Sequence, residues 1–318
     1  MRAVLIDDDN ALTWRKVPDP VRQDDEILVE IHAAALNRAD LMQRAGNYPP
    51  PPGWPEWMGL EMAGIVLEAP AGGRWQPGDQ VCALLGGGGY AEKVALPASM
   101  ALPVPDGLSM AAAASIPEAF ATAYLNLCLE AGLKSGDTVF IQAGASGLGM
   151  AAIQLVKHVG GNVVTAVGSS EKVEFVRGLG ADVPINHRAE DVAAVLAEHP
   201  VDIALDCVCG PGFGPCIQHM ARGGRWIVIA TLGGHQCEID LKSFFLKGLK
   251  LIGSTLRSRS PELKAQVLQG MEELLWPAFA DRTIEPVIYQ TLPIARAEEA
   301  HAILERRENI GKVVLEVR

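Results

Sequence analysis

Short apolar runs broken by glycine and proline clusters characterise the first third of this chain. Ile27-Leu28-Val29-Glu30-Ile31-His32 alternates as a half-buried strand does, and residues 63–68, 80–85 and 91–96 have the same strand character. Between them stand Pro49-Pro50-Pro51-Pro52-Gly53, Pro77-Gly78-Asp79 and Gly86-Gly87-Gly88-Gly89. These are turn formers, because proline fixes φ and glycine admits positive φ. Short strands punctuated in this way predict a small barrel-like β-domain up to about residue 105.

Near residue 110 the texture changes. Residues 111–114 and 120–129 have helical patterns, and then strand and helix alternate. Strands are predicted at 138–142, 162–167, 201–206, 225–230 and 249–254, with helices at 147–159 and 171–179. The strands are continuous apolar runs, as expected for parallel strands covered on both faces. This alternation predicts a doubly wound α/β sheet. From residue 261 a helix (263–275), a strand (287–289), a helix (295–307) and a strand (312–316) follow without extending the alternation. Such a tail can return to the first domain and complete it.

The chain has 318 residues and a formal charge of -11, which argues against a nucleic-acid binder. A few local cations and helix amides can still hold an anionic cofactor. No apolar run is long enough to span a membrane. The six cysteines form no C-x-x-C pair and no Cys/His cluster at zinc spacing. A reducing, cytoplasmic setting is expected, since Met1 to Ile6 followed by three Asp is too short and too acidic for a secretory signal.

The strongest local signal is Ala143-Gly144-Ala145-Ser146-Gly147-Leu148-Gly149, which follows a strand and opens a helix. That is the context of a dinucleotide fingerprint: small residues let the backbone approach a pyrophosphate, and the helix N-terminus offers free N–H donors. A tight strand-to-helix turn without a ligand is the plainer alternative. About 20 residues further on, an acid would hold the ribose 2′-hydroxyl of NAD. Here Gly168 occupies that place, and Ser169, Ser170 and Lys172 offer donors to a 2′-phosphate, so NADPH is the expected cofactor.

Several segments resemble the zinc-independent medium-chain dehydrogenase/reductases, in the quinone oxidoreductase branch that includes zeta-crystallin. They are residues 35–44, Gly59-Leu60-Glu61, Ile116-Pro117-Glu118-Ala119, the serine-bearing glycine loop, Leu256-Arg257-Ser258-Arg259 and residues 309–315. The first and last are closest to the stress-inducible animal subgroup. The resemblance implies a GroES-like domain (1–118, completed by 258–318) split around a Rossmann domain (119–257). It places Asn37, Tyr48 and Thr122 at the nicotinamide, with Leu256 and the backbone of Leu232 and Gly233. It assigns Gly144, Ser146, Gly147 and Leu148 to the pyrophosphate, and Gly168, Ser169 and Lys172 to the 2′-phosphate. Asn309 would contact the cofactor, and His187 stands where the family often has a tyrosine over the adenosine. Alcohol dehydrogenases hold zinc at positions that match Asn37, Leu60 and Glu118 here, so no metal is expected.

Without a metal, the acceptor must already be electrophilic. The expected activity is NADPH-dependent reduction of a quinone by hydride or electron transfer, with catalytic roles for Tyr48, Asn37 and Thr122. Reduction of an enal or enoyl thioester, with Tyr48 as proton donor, remains open, as does a non-enzymatic NADPH-binding role. No membrane partner is expected. A homodimer joined through edge strand 249–254 is implied by the resemblance, and alternation there puts Leu249, Leu251 and Gly253 on one face.

Overall fold

A parallel pair of strands needs a crossover of a dozen or more residues, and the middle of the chain supplies one after another. The computed structural model describes residues 1–318. The strands are β1 (Arg2–Ile6), β2 (Leu12–Lys16), β3 (Glu26–Ala35), β4 (Glu61–Glu68), β5 (Gln80–Leu84), β6 (Lys93–Pro97), β7 (Ala101–Pro103), β8 (Thr138–Gln142), β9 (Asn162–Val167), β10 (Val183–Asn186), β11 (Ile203–Asp206), β12 (Arg225–Val228), β13 (Lys250–Gly253), β14 (Ile288–Pro293) and β15 (Lys312–Glu316). The α-helices are α1 (Arg38–Arg44), α2 (Met110–Ala114), α3 (Pro117–Tyr124), α4 (Gly147–Val159), α5 (Ser170–Gly178), α6 (Val192–Glu198), α7 (Phe213–Ile217), α8 (Leu241–Lys247), α9 (Pro261–Ala280) and α10 (Ala297–Glu305). They form two compact units, Met1–Ala121 with Arg257–Arg318, and Thr122–Leu256.

In the second unit six strands lie in the order β10-β9-β8-β11-β12-β13, every pair parallel. The order reverses between β8 and β11, and the turn after β8 opens there, at the C-terminal ends of the strands. Open α/β sheets bind ligands at this switch point. Beneath it, Phe140, Val164, Ile185, Leu196, Ile217 and Trp226 form a sealed core, with Phe213 edge-on to Trp226 at 5.0 Å.

In the first unit the ten-residue β3 is the hub. It pairs antiparallel with β4, with β6 along Glu26–Glu30 and with β15 at Ala33–Ala35. The C-terminal strand therefore completes the sheet that the N-terminal third begins. Two register shifts in the β3–β4 pair, between Leu28 and Val29 and between Ile31 and Ala33, bend the hub.

The sequence reading leaves out β7, β10 and the helices α1, α6, α7 and α8, and it differs in three further details. Residues 2–16 form an antiparallel ribbon, β1–β2, where no strand is predicted above. The helix expected over 120–129 is α3 followed by a π-helical turn, Leu125–Glu130. Leu249 does not share an exposed face with Leu251: Leu249 is 6% exposed and packs into the core, whereas Leu251 is 46% exposed. The strand begins one residue later than its apolar run.

Candidate active site

The turn after β8 shows why small residues occur there. Ala143 adopts a left-handed φ of 56°. A Cβ on Gly144 would lie 2.1 Å from Thr165 Oγ1, and one on Gly149 would lie 2.4 Å from the Ala143 carbonyl oxygen. Both glycines are required by close approach of the backbone. Ser146 caps α4, its hydroxyl oxygen accepting from the Gly149 N–H at 3.0 Å, so the hydroxyl hydrogen remains to donate to an anion. The N–H groups of Gly147 and Leu148 lie in the first helical turn, where an anion is stabilised.

At the end of β9, Gly168 is flanked rather than open. A Cβ there would lie 3.2 Å from His187 Nε2 and 3.6 Å from Arg188 Nε. Ser169 caps α5 by accepting from the Lys172 N–H at 3.2 Å. Burial lowers the Lys172 pKa, and the Arg188 charge lowers it further, while Glu171 opposes both. The two cations therefore act on each other electrostatically, and both belong to the segments that follow β9 and β10. The sequence reading names Gly168, Ser169, Lys172 and His187 for this place and does not name Arg188. Arg188 stands two residues past the end of β10, a strand absent from the sequence reading, at the same end of the parallel sheet as the glycine turn. Beside His187 lies a hollow of about 380 Å³ lined by Asp191, Val192, Pro215 and Cys216.

Other expected residues of this unit have defined settings. Thr122 begins the unit, and its carbonyl accepts from Asn126 Nδ2 at 2.7 Å across the π-helical turn. The Leu232 and Gly233 N–H groups donate to the Cys207 and Val208 carbonyls at 3.1 and 2.7 Å. Leu256 is buried. Cys209, which has a φ of 53°, has its thiol pushed up to about 12 by burial, then by Asp206, and is a poor nucleophile.

In the first unit a polar network runs through the apolar sheet. Lys312 Nζ donates to Glu61 Oε1 at 2.5 Å, Asn37 Oδ1 at 2.8 Å and the Leu36 carbonyl at 2.7 Å. Asn37 Nδ2 donates to the same Glu61 oxygen at 2.9 Å, and the Glu118 N–H donates to the other at 2.8 Å. Asn37 also opens α1, with its N–H on Asp40 Oδ2 at 2.7 Å. Its amide is therefore committed to protein partners through Oδ1 and through Nδ2, which also reaches the Ala35 carbonyl at 3.5 Å.

Arg257 is nearly sealed and donates to the Gly86 and Tyr48 carbonyls and to Gln43 Oε1 at 2.6–2.9 Å. Its guanidinium also lies 4.8 Å from the Tyr48 ring centroid. Tyr48 is partly exposed, and burial and then Glu118 raise its phenol above the ordinary value. Glu118 itself is pushed up to about 8, mainly by burial and then by Glu61. Trp54 and Trp57 pack on the Gly86–Gly89 run, with Trp57 Nε1 donating to the Gly88 carbonyl. Asn309 Nδ2 donates to the Gly311 carbonyl at 2.7 Å in a turn before β15. Sequence reasoning missed Glu61, Lys312 and Arg257 as site residues. For Glu61 and Lys312 the signal was a charged residue at the start of an otherwise apolar strand; Arg257 stands in a turn and gave no such signal.

Zinc does not suit this donor set. Asn37 is occupied by Lys312 and Glu61, and Leu60 is a buried hydrocarbon. No group of three or more His, Cys, Asp or Glu side chains is placed to hold a metal ion.

Residues 23–106 match the alcohol dehydrogenase GroES-like domain, and residues 147–273 match the zinc-binding dehydrogenase family. The human synaptic vesicle membrane protein VAT-1 homolog-like is 30% identical over 100% of this chain and 81% of its own length. The quinone oxidoreductase from Thermus thermophilus, whose structure was also solved with NADPH, is 30% identical, with a TM-score of 0.84 over 100% of both chains. The JamJ enoyl reductase is 25% identical, with a TM-score of 0.82 over 96% of this chain and 95% of that one. With both domain families matched in order and a 30% relative spanning the whole chain, the protein belongs to the medium-chain dehydrogenase/reductases, in their zinc-independent quinone oxidoreductase branch.

Proposed function

We propose that this oxidoreductase uses NADPH to reduce a quinone or a similar flat, electrophilic acceptor without a metal. The observation that carries the reading is Gly168 itself, at the strand end where NAD-dependent enzymes place an acid, with Arg188 Nε 3.6 Å from the place a Cβ would take and Lys172 in the first turn of the helix that follows. The NADPH complex of the Thermus relative supports it. Gly144 and Gly149 let the backbone approach the pyrophosphate, while Ser146, Gly147 and Leu148 donate to it. Ser169, Lys172 and Arg188 hold the 2′-phosphate, and His187 flanks the adenosine. Asn37, Tyr48 and Thr122 are assigned to the nicotinamide, with Leu232, Gly233, Leu256 and Asn309 around it. The bound cofactor supplies the hydride, and the protein supplies orientation and a dry, polar setting. Because the donor set does not suit zinc, the acceptor must bring its own electrophilicity, as quinones do.

Reduction of a polarised C=C bond is the second reading, favoured by the likeness to an enoyl reductase and by a protonated Tyr48. Steady-state assays with NADPH against quinones and enals decide between them: faster turnover of quinones is expected, and turnover confined to enals or enoyl thioesters overturns the first reading. A cofactor-binding protein without turnover would reduce neither class.

A homodimer is proposed as the working assembly. β13 ends the sheet with an unpaired edge, and Leu241, Phe245 and Leu246 of α8 are 53–69% exposed beside Leu251 at 46%. Pairing of this edge with a second copy across a two-fold would cover both features.

A further inference from the structure

Four consecutive prolines, at positions 49–52, leave the segment after Tyr48 without backbone donors. Such a segment is held through its carbonyls and side chains, so its place depends on donors that come from elsewhere. Past the prolines the loop is well seated. The Gly88 N–H donates to the Trp57 carbonyl at 2.9 Å and the Tyr90 N–H to the Met58 carbonyl at 3.0 Å. A Cβ on Gly86 would lie 2.6 Å from the Trp54 ring.

Arg257 brings donors to the other end. Its Nη1 donates to the Tyr48 carbonyl at 2.9 Å, and its guanidinium covers the Tyr48 ring at 4.8 Å from the centroid. Nε and Nη2 both donate to the Gly86 carbonyl, at 2.9 and 2.6 Å, and Nη2 also donates to Gln43 Oε1 at 2.8 Å. Gln43 Nε2 in turn donates to the Glu56 carbonyl at 2.7 Å. One side chain thus grips Tyr48 by its backbone and by one ring face, and reaches Glu56 through Gln43. Lys264 Nζ donates to the Arg257 carbonyl at 2.7 Å and holds the arginine itself. All these residues belong to the first unit. The guanidinium is 5% exposed and these partners are neutral oxygens. Burying a charge on neutral oxygens is costly, and filling a turn does not need it. Only a planar fork reaches three such oxygens from one residue.

We infer that Arg257 is a positioning residue of the reduction: it fixes Tyr48 and the proline loop that carries it, and thereby sets how tightly the acceptor binds. This deepens the reductase reading and rests on its assignment of Tyr48. With one ring face covered, Tyr48 has its hydroxyl and its other face to offer a flat acceptor.

The test uses the full-length protein, Arg257→Met, Arg257→Lys and Gln43→Met. In steady-state assays with NADPH and a quinone, Arg257→Met should raise the acceptor KM about tenfold or more, with kcat and the KM for NADPH changing less. Arg257→Lys keeps the charge and loses the fork, so it should resemble Arg257→Met. Gln43→Met breaks only the arm to Glu56 and should raise the acceptor KM by a smaller factor; it carries the test if Arg257→Met does not fold. Ultraviolet titration, with the matching Tyr48→Phe protein subtracted, isolates the Tyr48 phenol, which burial raises and the Arg257 charge lowers. A released loop loses the burial, so the phenol of Arg257→Met should titrate below that of the unmodified protein. A loop that keeps its place loses only the charge, and the phenol titrates higher. That result, an unchanged acceptor KM in Arg257→Met, or full recovery in Arg257→Lys overturns the proposal. Turnover of neither quinones nor enals removes the reductase reading, and the phenol titration then decides whether Arg257 holds the loop.

Discussion

Lys312 and Glu61 form a sealed ion pair: Nζ lies 2.5 Å from Oε1, with the two side chains 3% and 0% exposed. The pair joins the last strand, β15, to the first residue of β4 and orders Asn37 and α3 through the same carboxylate. Removing one member should be far worse than removing both, because a lone buried charge is left behind. Lys312→Met is expected to cost about 3–5 kcal/mol in denaturant unfolding. Adding Glu61→Gln should recover most of that loss, and a double variant no more stable than Lys312→Met would show that the charge is not what matters.

The 2′-phosphate pocket makes its own prediction. Arg188→Ala and Lys172→Ala should each raise the KM for NADPH about ten- to a hundredfold, matching the roughly 1.5–3 kcal/mol of a charge-assisted hydrogen bond, with little change for NADH. Gly168→Asp should favour NADH further, provided His187 yields, since its Nε2 lies 3.2 Å from the new Cβ. Equal use of both cofactors by the unmodified protein would end the NADPH assignment.

What could be read from the chain alone followed from periodicity. The parallel strands announced themselves as apolar runs, and the glycine turn as small residues between a strand and a helix. Arg188 did not, because a single exposed arginine in a chain with 27 Lys and Arg looks like solvated surface. Only the return of β10 to the side of β9 puts it near Gly168. Lys312 and Glu61 lie 251 residues apart, and although the broken alternation allows the tail to return to the first domain, no local pattern sets Lys312 on Glu61. Leu249 shows the same limit: alternation alone puts it on one face with Leu251, whereas the strand begins one residue later and leaves Leu249 in the core.

Asp40, Tyr90 and His301 set an opposed pair of pH effects. The Tyr90 hydroxyl donates to Asp40 Oδ2 at 3.2 Å and lies 3.4 Å from His301 Nε2. With its one hydrogen given to Asp40, the hydroxyl can only accept from His301, so Nε2 carries the proton and the buried Nδ1 is left without a partner. Burial lowers the His301 pKa from 6.5 to about 4, and burial raises that of Asp40 from 3.8 to about 6. Between pH 6.5 and about 4 the unfolded histidine binds a proton that the folded one refuses, so His301 removes stability as pH falls. Between about 6 and 3.8 the folded aspartic acid holds a proton that the unfolded one releases, so Asp40 restores stability over that window. Asp40→Asn should therefore make the protein more acid-labile, and His301→Gln less so. Thermal melting of the three proteins from neutral to mildly acid pH checks the signs, and parallel curves for all three would refute the account.

The exposed face of α8 and β13 should matter for assembly and not for the fold of its own unit. Phe245→Glu or Leu251→Lys places a charge where a second copy would pack, and should give monomers by light scattering with melting of the isolated chain little changed. An unmodified protein that is already monomeric at micromolar concentration would remove the dimer.

Tyr48 separates the two enzymatic readings. Its phenol is raised above its ordinary value by burial and by Glu118, against the opposing Arg257 charge, so at neutral pH it is a hydrogen-bond donor and not a base. A quinone reduced by hydride can take its proton from water, so the phenol is not a required source. A reduced C=C bond leaves a carbanion-like centre that gains typically 10²–10⁴-fold from a positioned acid. Tyr48→Phe keeps the ring that Arg257 covers and removes only the hydroxyl. Quinone turnover should then fall less than about tenfold, roughly 1.4 kcal/mol of barrier. If C=C reduction is the true activity, the same change should cut it by about a hundredfold or more. High enal turnover before the substitution, with that loss after it, would assign the protein to the reductases of polarised double bonds and make Tyr48 their acid.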